Sequence, residues 1–139
     1  MTTPANHLRA LLEAGLDDSF AIVPLSPGPV IPRGLMGLML YRTGVDPLAG
    51  LMGNGHLRNN TFTLSVISPV AELGKAQADL NDALDAVLDV LETEPAVNWL
   101  TAVFEAYNDS LWCYTVTLTV LSTHIPVVPE DAPILDEEI

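Results

Sequence analysis

Hydrophobic positions along the chain change their spacing several times, and each change marks an element. Leu8, Leu11 and Leu12 recur at helical spacing behind Thr3-Pro4, which reads as an N-cap with proline at the first helical position. Gly15 can end this helix, which is expected over about Pro4–Ala14. Phe20–Leu25 reads as a short strand, with Pro24 marking its end or an edge. Ser26-Pro27-Gly28-Pro29 and Pro32 then impose an extended loop, because proline lacks the backbone donor. Leu35–Thr43 reads as a strand with Met36, Leu38 and Leu40 towards the core and Tyr41 the other way. Thr43–Asn60 is rich in Gly, Asn and Asp and reads as a long loop, with a hairpin extension as the alternative.

The second half is patterned more strongly. Phe62, Leu64 and Val66 alternate with Thr61, Thr63 and Ser65, a strand stopped by Ser68-Pro69. From Glu72 to Glu92, Leu80, Leu84, Val87, Leu88 and Leu91 form an apolar helical stripe. Asp82, Asp85, Asp89 and Glu92 form an acidic stripe on the same helix. Like charges at such spacings repel by a few tenths of a kcal/mol each, so this helix depends on packing its leucine face. Glu94-Pro95 ends it. Val97–Tyr107 and Leu111–Thr123 read as an antiparallel hairpin turning at Asn108-Asp109-Ser110. In its second strand Trp112, Tyr114, Val116, Leu118 and Val120 share one face, opposite Cys113, Thr115, Thr117 and Thr119. That alternation suits a sheet with one buried face.

The expected fold is therefore α+β, an α/β sandwich. A mixed, largely antiparallel sheet of about four or five strands carries one long amphipathic helix and a short N-terminal helix on one face. One domain is expected over residues 1–125, followed by an acidic, proline-containing tail over 126–139. The apolar runs are broken by proline, glycine or charge well short of the ~20 residues a bilayer span needs. The first ten residues lack a basic region followed by an apolar block, so no secretory signal is expected. A single cysteine, Cys113, permits neither an intrachain disulfide nor a cysteine zinc site, and both points suit a cytosolic origin.

Charge divides the chain. Residues 1–69 hold four acids and four bases, among them Arg33, Arg42 and Arg58. Residues 70–139 hold fourteen acids and one base, Lys75, and so carry the whole net charge of −13. Such a half repels nucleic acid and anionic membranes, and suits a basic partner or a path to which DNA must not adhere.

Signatures of catalysis are missing. The chain has no G-x-S-x-G nucleophile elbow, no phosphate-binding G-x-x-x-x-G-K-[ST] and no G-x-G-x-x-G. Gly53-Asn54-Gly55 reads as a flexible turn. His7, His56 and His124 lack paired ligand spacing, and carboxylates in a row along one helix do not surround a point. Cys113 has no adjacent base and reads as a structural thiol. Trp99 and Trp112 read as sheet residues, with interface anchoring as their alternative role. A non-enzymatic protein with no cofactor and no metal is expected.

Three segments carry a resemblance. They are the strand Asn60-Thr61-Phe62-Thr63-Leu64-Ser65-Val66-Ile67-Ser68-Pro69, the helix Ala78-Asp79-Leu80-Asn81-Asp82-Ala83-Leu84-Asp85-Ala86-Val87-Leu88, and the strand Tyr114-Thr115-Val116-Thr117-Leu118-Thr119-Val120. With the order of elements over about residues 5–125, the chain resembles tail terminator proteins of long-tailed, siphovirus-type bacteriophages, especially those infecting actinobacteria. The Thr43–Asn60 segment looks longer than is usual there, and the tail after Pro126 lies outside the resemblance.

The resemblance implies an α/β sandwich that assembles into a hexameric ring. The ring caps the head-proximal end of the tail tube, stops its polymerisation and offers a surface to the neck. Its expected partners are further copies of the chain, the major tail-tube protein and a neck or connector protein. DNA passes through without specific binding, no membrane is involved, and the protein is assembled in the host cytoplasm and resides in the virion. A ring uses two different patches per subunit. Arg33, Arg42 and Arg58 are candidates for one patch, against an acidic half of the next copy. Asp82, Asp85, Asp89, Glu92, Asp136, Glu137 and Glu138 are candidates for facing the lumen or a partner. Two other readings stand beside this one. The first is another head–tail connector or tail-tube protein. The second is a soluble acidic binding module that uses Ser26–Pro32 or the tail.

Overall fold

The structure, a computed structural model, describes residues 3–23, 34–47 and 57–123. Helix α1 (Pro4–Gly15) begins as its sequence requires: the Thr3 hydroxyl oxygen accepts from the Asn6 backbone N–H at 3.1 Å. Strand β1 (Phe20–Ile22) follows, then β2 (Met36–Pro47), β3 (Leu57–Ile67), helix α2 (Leu73–Glu92), β4 (Val97–Ala106) and β5 (Trp112–Thr123). Gly34, with φ of +79°, adopts the left-handed backbone just before β2. Glu72 caps α2 by accepting from the N–H groups of Gly74 and Lys75.

The five strands form one sheet in the order β1-β2-β3-β5-β4. β1 runs parallel to β2, and every other pair is antiparallel. Both helices pack on the same face, so the fold is α+β as the patterning predicts. Leu8 and Leu12 of α1 and Leu80, Val87 and Leu91 of α2 meet Phe62, Leu64 and Val66 of β3 and Val116 and Leu118 of β5. Each fully buried side chain of this size contributes about 1.5–3 kcal/mol. Leu84 and Leu88 pack at the margin of the core, while Ala76 and Ala83 complete the buried stripe of α2.

Two sequence expectations need correction. The segment 43–60 is not a loop throughout. β2 continues to Pro47 and β3 begins at Leu57, paired from Gly44↔Thr61 to Pro47↔Arg58, so the hairpin extension is the right reading. The turn-forming residues are absorbed by the ladder: Gly44 sits beside a bulge, and Leu57–Asn60 are held on their other side by β5. The second correction concerns the sheet's other face, which is also buried at one end. There Met39, Ile67 and Cys113 cluster with Tyr41, Tyr107 and Leu111. The centre of that face is a field of hydroxyls, with Thr61 and Thr63 of β3 opposite Thr119 and Thr117 of β5, and Asp46, Val103, Glu105 and Leu121 lie around it. Among the described residues no helix covers it.

Candidate functional site

The extended hairpin carries Arg42 and Arg58, both exposed. Arg42 pairs across strands with Phe62 and therefore lies on the helix-bearing side. Arg58 precedes Asn60 and Phe62 in the same alternation and shares that side. Arg42 Nη1 donates to Asn60 Oδ1 at 3.5 Å. Asn60 is buried, and its Nδ2 donates to the Val120 carbonyl at 3.0 Å and to Ser122 Oγ at 2.9 Å. An Asn read from sequence as a turn residue thus cross-links β3 to β5 beneath an arginine. Arg33 lies outside the described residues.

Asp82, Asp85, Asp89 and Glu92 are all exposed on α2, on the side away from the buried Leu80, Val87 and Leu91. Glu92 Oε2 accepts from Trp99 Nε1 at 2.9 Å, which fixes the carboxylate over β4. Asp82 borders an open groove of 480 Å³ between α2 and the β1–β2 side of the sheet. Phe20, Met36 and Ala83 line it, together with Lys75 and Asp79, which form an exposed ion pair at 3.7 Å. Asp136, Glu137 and Glu138 lie outside the described residues.

The two candidate charge sets are not brought together within one copy. Among the described residues the ion pairs are Lys75–Asp79 and, when the imidazole is protonated, His7–Glu94 at 3.5 Å. Neither involves Arg42, Arg58 or the acidic stripe.

Cys113 is buried, and burial pushes its thiol pKa up, with the Glu105 carboxylate pushing the same way against a contact from Thr115. A thiol so held is a poor nucleophile. Among the described residues no three His, Cys, Asp or Glu side chains converge as a metal site would require. His56 and His124 lie outside the described residues.

What sequence reading missed is the state of the sheet's margins. β4 is an edge strand of ten residues containing no Lys, Arg or Pro. Its Leu100 and Val103 are 55% and 51% exposed, and Leu100 is the unpaired residue of a bulge between Trp99 and Thr101. On the opposite margin β1 covers only Met36–Leu38 of β2. Among the described residues, β2 from Met39 to Pro47 is paired on one side alone. The absence of lysine, arginine and proline in Val97–Ala106, with Glu105 its only charged residue, is the sequence signal that could have flagged the first edge.

Among the described residues these features define a small two-layer α+β domain with a second sheet face that no helix covers, two open edges and separated basic and acidic surfaces. The chain matches no protein-family profile and no curated protein.

Proposed function

We propose that the chain is a structural ring subunit of the tail-terminator kind. It caps the head-proximal end of a phage tail tube, ends tube growth and joins the tail to the neck. The observation that carries this reading is the separation of the Arg42/Arg58 arm from the acidic stripe of α2 within one copy, with neither set ion-paired among the described residues. A closed ring needs two such complementary patches per subunit. The phage assignment rests on the resemblance in Asn60–Pro69, Ala78–Leu88 and Tyr114–Val120, which supply the two core-forming strands β3 and β5 and the helix α2. In this reading the ring holds six copies, needs no cofactor or metal, and lets DNA pass without binding it specifically.

The test is assembly in the presence of tail-tube subunits. Purified protein should shorten the tubes and appear as a single ring at one tube end by electron microscopy. Tubes of unchanged length would overturn the proposal. Unlimited stacking of the protein on its own would instead assign it to the tube.

A further inference from the structure

We infer that copies of this chain join by continuing the sheet, the β4 edge of one copy pairing antiparallel with the length of β2 in the next that no other described strand covers. The inference rests on the ring reading and specifies its interface. Strand directions permit it without reorientation. β2 opposes β3, β3 opposes β5 and β5 opposes β4, so β2 and β4 run in opposite directions. A neighbour related by rotation about an axis along the strands presents β2 antiparallel to β4, which is the heterologous contact that closes a ring.

The levels match as well. Arg42, Phe62, Leu118 and Trp99 form one continuous row across the helix-bearing face. Leu40 and Ala102 end the row on one side of it, and Val45 and Val97 end the row on the other. The uncovered part of β2 therefore stands at the height of Val97–Ala102. β1 blocks β2 only at the height of Phe104–Ala106, since Leu38 shares its row with Phe104.

Charge selects this pairing over its rivals. Arg42 of the incoming copy arrives at the end of a row where Trp99 already holds Glu92. Pairing β4 with β4 of a second copy would instead bring together surfaces whose charges, Glu92 and Glu105, are all acidic. An edge strand without lysine, arginine or proline, with apolar side chains exposed, is an open template for another strand. The occupant supplied by this chain is the edge that carries arginine.

The experiment uses the full-length protein and measures oligomer mass by native mass spectrometry and sedimentation. The proteins are wild type, Arg42→Glu, Glu92→Arg, the double reversal, and Leu100→Lys. All three positions are exposed, and far-UV circular dichroism checks that each variant is folded. Each charge reversal should raise the concentration needed for half-assembly by about tenfold per contact. The double reversal should restore it, and Leu100→Lys should prevent assembly by placing a charge on the edge. Rings that persist unchanged in all the variants would overturn this interface while leaving the ring reading intact. Failure of the double reversal to rescue, or a wild-type dimer at every concentration, would also overturn the interface. Wild-type protein that stays a single chain both alone and with tube subunits would overturn the ring reading and the interface with it.

Discussion

Asn60 shows how one side chain can decide the length of an element. Its amide is buried and satisfied on both sides, donating to Val120 and Ser122 and accepting from Arg42. Removing it leaves the Val120 carbonyl without its side-chain donor in a site closed to water. Asn60→Ala should cost about 1–3 kcal/mol, read as a lower urea midpoint with an unchanged slope. An unchanged midpoint would mean that the amide is not what holds β3 to β5. At the surface, Asp17 accepts from the hydroxyl and the backbone N–H of Ser19, and these bonds hold its carboxyl pKa below the usual value. The sign follows: a pKa lower folded than unfolded contributes stability above the unfolded value of about 3.9, and loses it as pH falls through the folded value. Ser19→Ala should raise the Asp17 pKa in an NMR titration, and no movement would refute the assignment. Neither local arrangement was legible in sequence, because Asn and Asp-x-Ser suit turns and cores equally well until their partners are known.

Elements were legible where periodicity was long. The N-cap at Thr3, the leucine stripe of α2 and the alternation in β5 announced their elements within a residue or two of the observed limits, and the alternation in β3 found its C-terminal end but not its first four residues. The hairpin extension was hidden because Gly44, Asn59 and Asn60 have poor strand propensity, and pairing on both sides of β3 overrides it. The contact between the two helices was hidden too. A Cβ at Gly15 would lie 2.7 and 2.8 Å from the two methyls of Val90, so the last turn of α1 approaches α2 more closely than any side chain allows. Helix propensity alone predicts that alanine gains about 1 kcal/mol over glycine there. Val90 is β-branched and stiff within its helix, and overpacking costs about 1–3 kcal/mol. Gly15→Ala should therefore lower the melting temperature, whereas a rise would mean that Val90 yields freely.

For the whole molecule, strand order is what sequence could not supply. β4 lies outside β5 rather than beside β3, and no local pattern encodes that placement. Arg42, Arg58 and the acids of the α2 stripe are exposed, and the row that joins Arg42 to Trp99, which holds Glu92, emerges only from long-range pairing. The threonine face, which no helix covers among the described residues, has a consequence for the proposed ring. A layer of helices needs more circumference than the sheet beneath it, so a closed ring of such sandwiches puts the helices outside and the hydroxyls inside. The acidic stripe of α2 would then face neighbours and solvent rather than the lumen. Threonine hydroxyls both donate to and accept from water and carry no fixed charge. In the proposed ring such a wall would hold a water film and give passing phosphates no described positive charge to grip, while Glu105 of β4 and Asp46 of β2 on the same face would add like charge that keeps them moving.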